Sequence, residues 1–110
     1  MTKGLPGAEV RRSSEGETIF EADGAVGKRI YGKHGCEYVR LTIRPGSGIA
    51  PHRLGIPVTF MVLSGTGLLK CNNESYRVEK GDMAEIDPDV EREWSNEGPD
   101  ELALLVIRHG

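Results

Sequence analysis

At 110 residues, 37% hydrophobic and 28% charged, the chain is sized for one domain, able to bury roughly two-thirds of its unfolded surface around a single core without metals or disulfides. A net charge of −3, with no basic stripe and no interleaved aromatics, excludes a nucleic-acid partner. Cys36 and Cys71 stand far apart without CxxC spacing, so neither a zinc knuckle nor a redox pair is supported, and two free thiols within strands are expected.

Residues 1–15 contain Gly, Pro, Arg-Arg and Ser-Ser without periodicity and are expected to form a flexible or loosely docked arm, leaving 16–110 as the folded domain. Residues 1–12 lack the apolar segment of a secretory signal, and the longest apolar run, 102–107, is far too short to cross a bilayer. A soluble, cytoplasmic protein with no membrane partner is expected.

A first strand is predicted over 17–21, then a hairpin turn at Asp23-Gly24, where both residues tolerate positive φ, and a second strand over 28–33. Residues 36–44 alternate, with Val39, Leu41 and Ile43 on one face and Tyr38, Arg40, Thr42 and Arg44 on the other. Pro45-Gly46 and Gly48 mark a turn. The β-branched, apolar run 58–63 then ends at Ser64-Gly65, the pattern of a fully buried strand.

Residues 67–71 and 75–79 flank Asn72-Asn73, a turn of the primed hairpin type. Lys80-Gly81-Asp82 turns again, and 83–86 form a strand before Asp87-Pro88-Asp89. Over 90–95, Val90, Arg92 and Trp94 share one face while Glu91, Glu93 and Ser95 share the other. A loop over 96–100 leads to a last strand, 101–108, apolar on both faces. No segment of eleven residues has a helical period, so the fold is all-β, with about 9–11 short antiparallel strands, no substantial helix, and a sandwich or barrel architecture.

Two spaced motifs narrow this further. Gly46, His52 and Gly65 carry the spacing of a glycine, five residues, His-x-His, a glutamate and a closing glycine, with Leu54 at the second histidine and Val58 at the glutamate. Gly81 and Asn96 carry the ends of a second motif, with Asp87 and Asp89 at its proline and glycine and Arg92 at its histidine. In these positions the chain resembles the cupin superfamily, over about half its length. The resemblance implies a small, single-domain double-stranded β-helix of the jelly-roll kind, commonly paired through the outer face of one sheet. It also implies that His52, Leu54, Val58 and Arg92 point into the barrel where cupins hold a metal.

Only one of those four is a metal donor. A single imidazole beside Leu54, Val58 and a guanidinium suits a divalent transition metal poorly, so the metal site is degenerate and no cofactor is expected. Arg92 needs an anion, because an unpaired guanidinium among apolar groups is costly. Two sources are open: an internal carboxylate such as Glu85 or Asp87, or a small carboxylate or phosphate ligand gripped by Arg92 and His52 across the cavity, with Trp94 and Phe60 as apolar walls.

The function expected is therefore small-molecule binding, with an anion as ligand. One alternative is a cupin enzyme, of the isomerase or epimerase type or the dioxygenase type, acting on a small organic acid or sugar. In that case His52 would either bind a divalent transition metal weakly or act without metal as acid or base with Tyr31 or Tyr38; His34 and His109 have no partner at a recognisable spacing. The other alternative is a dimeric scaffold without a ligand. Strands 58–63 and 102–107, apolar on both faces, ask for a partner beyond the core, and a homodimer is the simplest closed solution.

Overall fold

The computed structural model describes residues 7–110. Ten strands follow one 3-10 turn, Ser13–Glu15: β1 (Glu17–Ala22), β2 (Ala25–Lys33), β3 (Cys36–Ile43), β4 (Gly48–His52), β5 (Val58–Ser64), β6 (Thr66–Cys71), β7 (Glu74–Glu79), β8 (Met83–Ile86), β9 (Arg92–Ser95) and β10 (Leu102–His109). They form a six-stranded sheet, β1-β2-β3-β10-β5-β8, and a four-stranded sheet, β4-β9-β6-β7. Every pairing is antiparallel. This is the all-β double-stranded β-helix that the two motifs imply.

Local chemistry accounts for the turns. Asn72 and Asn73, at φ 49° and 67°, place Cys71 opposite Glu74 in the primed hairpin turn expected of them. His34 and Gly35, at φ 58° and 77°, close β2 onto β3 in the same way. Gly65 ends β5 at φ 81°, where a Cβ would stand 2.5 Å from the Glu101 carbonyl oxygen, so no other residue fits between the sheets there. Asn96, buried, fastens the far end. Its Nδ2 donates to the carbonyls of Ile43 (2.8 Å) and Asp100 (2.9 Å), and its Oδ1 accepts from the Gly98 amide (3.0 Å).

The core lies between the inner faces of the sheets. Val39, Leu41 and Ile43 of β3, Leu102, Leu104 and Val106 of β10, and Val58, Phe60 and Val62 of β5 meet Ile49, Leu69 and Trp94 of the smaller sheet. The strand expected to be fully buried is so only in part: Met61 and Leu63 on its outer face are half-buried, as are Leu105 and Ile107 of β10.

Strand β4 lies between the turn marked by Pro45-Gly46 and Gly48 and the run 58–63, in a stretch to which the sequence assigns no element. Pro51 obscures it in the sequence because proline lacks a ladder donor. The strand lies at the edge of the smaller sheet, where that lack is tolerated, and its register shifts between Ile49 and His52.

Of the arm expected over 1–15, residues 1–6 lie outside the described residues. Over 7–15, the Arg11 guanidinium stacks on the Tyr31 ring, 5.3 Å from its centroid, Glu9 pairs with Arg11 and, at 3.8 Å, with Lys33, and the Glu15 carboxylate accepts from the Arg12 amide at 2.7 Å.

Candidate functional site

Between the sheets lies a cavity of about 230 Å³, opening beside Ile19 and Phe20 of β1. Its walls are apolar apart from His52, Arg92, Trp94 and Arg108, and no acidic side chain lines them.

Arg92 opens β9, and strand alternation turns it and Trp94 inward together. It is 2% exposed, and its Nε and one terminal nitrogen have no hydrogen-bond partner. The guanidinium stands over the Phe60 ring, 5.8 Å from the centroid. Burial pushes its pKa down from the ordinary arginine value, with Arg108 adding to the shift and Cys71 opposing it.

Neither carboxylate named as its internal partner reaches it. Glu85 lies on the other face and accepts from the Thr59 hydroxyl at 3.1 Å, and Asp87 is exposed. Among the described residues Arg92 makes no ion pair.

Trp94 and Phe60 both line the cavity, edge to face with centroids 5.2 Å apart and planes at 65°. Trp94 is also 2% exposed, and its indole Nε1–H finds no acceptor. Leu54 reaches the cavity wall. Val58 does not: it packs in the core at 1% exposure, paired with Ile86 of β8.

His52 is not across the cavity from Arg92. Antiparallel pairing of β4 with β9 makes the two Cα neighbours, and the unrecognised strand is the reason the sequence misplaced it. The imidazole sits exposed in the mouth, and its Nδ1 donates to the Ala50 carbonyl at 3.2 Å.

The tyrosines considered as acid–base partners of His52 are on the opposite side of the sheet. Tyr31 and Tyr38 pack against each other at 5.9 Å, away from the cavity, because they alternate with inward Val39 and Leu41. His109 does have a partner, invisible in sequence because it lies 50 residues away: its Nε2 is 2.9 Å from the Thr59 hydroxyl. His34 occupies the β2–β3 turn.

One charged wall residue, besides apolar ones such as Ile19, Phe20 and Ile49, escaped the sequence reading. Arg108 sits at the end of a run taken as apolar, yet it shares parity with Leu104 and Val106, which is the signal that places it inward. Its terminal nitrogen pairs with Glu37 at 2.8 Å, its Nε is buried without a partner, and Glu37 also holds Arg29 at 3.0 Å. Arg29 in turn pairs with Glu17.

A divalent ion does not fit this donor set. Of the side chains at the cupin ligand positions only His52 can donate, and its strand neighbour is a buried cation that would repel a metal. Among the described residues no three His, Cys, Asp or Glu side chains gather elsewhere in a metal-binding group. Cys36 and Cys71 are free thiols, and burial pushes that of Cys71 above its ordinary pKa against the pull of Arg92 beside it.

Two sheets closed into a jelly-roll barrel around one pocket define the class of protein. The family model of the cupin domain matches residues 39–108, and the chain belongs to the cupin family. Among curated proteins, none matches it significantly. Solved structures that resemble it include a predicted oxalate decarboxylase from Thermotoga maritima, 23% identical over 92% of this chain and 98% of that one, with a TM-score of 0.80. KdgF from Halomonas sp. is 15% identical over 94% of both chains, with a TM-score of 0.81. An RmlC-like cupin from Shewanella frigidimarina is 14% identical over 89% of this chain and 86% of that one, with a TM-score of 0.78. At these identities the likeness is one of fold. No helix among the described residues is long and apolar enough to cross a membrane.

Proposed function

We propose that this is a cytoplasmic, small-molecule-binding cupin whose barrel receives a small organic anion, with Arg92 as the anchor in place of a metal. The observation that carries the reading is a guanidinium 2% exposed, without an anion, facing a cavity that no acidic side chain lines. Leaving such a group unpaired is strongly destabilising, and a bound carboxylate removes that cost while supplying bidentate hydrogen bonds. The walls of Phe60, Leu54 and Trp94 suit the apolar part of such a ligand. One neighbour of similar fold is described as a predicted oxalate decarboxylase, a name that concerns a small carboxylate. An acid–base enzyme would need a second group beside His52, and its nearest polar partner is a backbone carbonyl.

A thermal-shift screen of small carboxylates, phosphates and sugar acids tests the reading. A bidentate contact to a buried guanidinium contributes about 2–5 kcal/mol, so Arg92→Ala is expected to weaken the best anion by at least ~30-fold. Arg92→Lys should recover only part of this, because an ammonium lacks the planar fork. An equal response from wild type and Arg92→Ala would overturn it.

We propose separately that the protein is a homodimer through the outer face of the six-stranded sheet, a reading supported by half-buried Met61, Leu63, Leu105 and Ile107.

A further inference from the structure

Among the described residues, the buried polar side-chain atoms of the cavity residues that lack a partner are all donors. Nε and a terminal nitrogen of Arg92, Nε1 of Trp94 and Nε of Arg108 are N–H donors buried without an acceptor. No carboxylate, amide or hydroxyl side chain among the described residues lines the walls. His52, whose Nδ1 donates to the Ala50 carbonyl, stands in the exposed mouth, paired with Arg92 across the ladder rather than with Trp94.

A lining of this kind discriminates between ligands. Among the described residues a ligand oxygen placed deep in the cavity meets donor side chains, whereas a ligand hydroxyl meets no side-chain acceptor there except its own carboxylate, whose lone pairs Arg92 requires. Burying an unmatched donor costs far more than a missing methylene, so the cavity selects against hydroxylated ligands. Its volume of about 230 Å³ suits a compact acid.

Resting on the anion-binding reading, we infer that the ligand is an organic acid that presents only acceptors to the deep cavity, with its carboxylate on Arg92, a second acceptor oxygen on Trp94 Nε1, and an apolar body towards Leu41, Phe60 and Phe20. Compact 2-oxo acids with branched apolar side chains have this chemistry. Their 2-hydroxy counterparts, sugars and sugar acids do not. Arg92 and Trp94 lie two positions apart on one strand face, both against Phe60, so one small ligand reaches both.

The test is calorimetric titration of 4-methyl-2-oxopentanoate and of 2-hydroxy-4-methylpentanoate into wild type, Trp94→Phe and Arg92→Met. The oxo acid is expected to bind wild type at least ~10-fold more tightly than the hydroxy acid. Trp94→Phe should abolish that preference while retaining carboxylate binding, and Arg92→Met should lose both acids. Trp94 is the chain's sole tryptophan, so its indole N–H resonance gives a readout that needs no substitution. It should move downfield with the oxo acid and much less with the hydroxy acid. Equal binding of the two acids, or a preference that survives Trp94→Phe with an unmoved indole signal, overturns the acceptor-only ligand and leaves the anion reading standing. If neither these acids nor any other carboxylate binds, the anion reading falls with it.

Discussion

Arg92 is buried with nitrogens that lack a partner, and its burial sets a stability cost that can be measured. A buried cation without a partner destabilises the empty protein, and a well-packed apolar residue of similar volume removes the penalty. Arg92→Met is expected to raise the unfolding free energy of the ligand-free protein by about 1–4 kcal/mol in denaturant melts. Loss of stability instead would mean that Arg92 already has a partner.

Cys71, the neighbour of Arg92 on β6, carries a pH dependence of definite sign. Burial raises its thiol pKa in the folded state, so its contribution to stability is fully present below the unfolded value of about 8.5 and is lost as pH rises towards the higher folded value. In a Cys36→Ser background, alkylation of Cys71 should show a midpoint above the ordinary thiol range. A midpoint at or below that range would contradict it.

At this scale legibility depended on spacing. Arg92 and His52 were found because they occupy motif positions. Arg108 was not, since a charged residue ending an apolar run looks like a strand terminus unless its parity is counted. Trp94 Nε1 and the lack of any acid near Arg92 are facts about the facing sheet, which a single strand's sequence does not contain.

At the scale of elements, alternation and turn chemistry were enough wherever a strand is bounded by Gly, Asn or Asp. Strands β3, β8 and the β6–β7 hairpin fell within one residue of expectation at each end. β2 begins at Ala25, earlier than predicted, because Ala25 and Gly27 pair with β3 although neither has the profile of a strand residue. β4 was hidden by Pro51, and with it the side-by-side arrangement of His52 and Arg92.

The glycines of the motifs mark backbone requirements more faithfully than its polar positions mark chemistry. At Asp89, which stands at a motif glycine, the backbone keeps φ 66° although the side chain has changed. Gly65 combines positive φ with the close approach of Glu101, so Gly65→Ala is expected to cost at least ~1–2 kcal/mol in urea melts. An unchanged midpoint would show that the β5–β6 turn is not held as described.

For the whole molecule, the open question in the sequence was how two strands apolar on both faces fit one barrel. The inner faces of β5 and β10 fill the core, while Met61, Leu63, Leu105 and Ile107 form an outer surface that one copy of the chain leaves half-covered. If a second copy covers it, Met61→Glu buries an unpaired charge in the interface. Light scattering should then find wild type as a dimer and the variant as a monomer. A wild type that is monomeric at every concentration would end the idea.

The central proposal is that Arg92 holds a small organic anion inside the barrel. The most direct measurement of it is the melting temperature of wild type and Arg92→Met side by side across a concentration series of small carboxylates. Wild type should start lower and climb with the acid, and Arg92→Met should start higher and stay flat. A wild type that no acid stabilises, or two proteins that climb together, would contradict it.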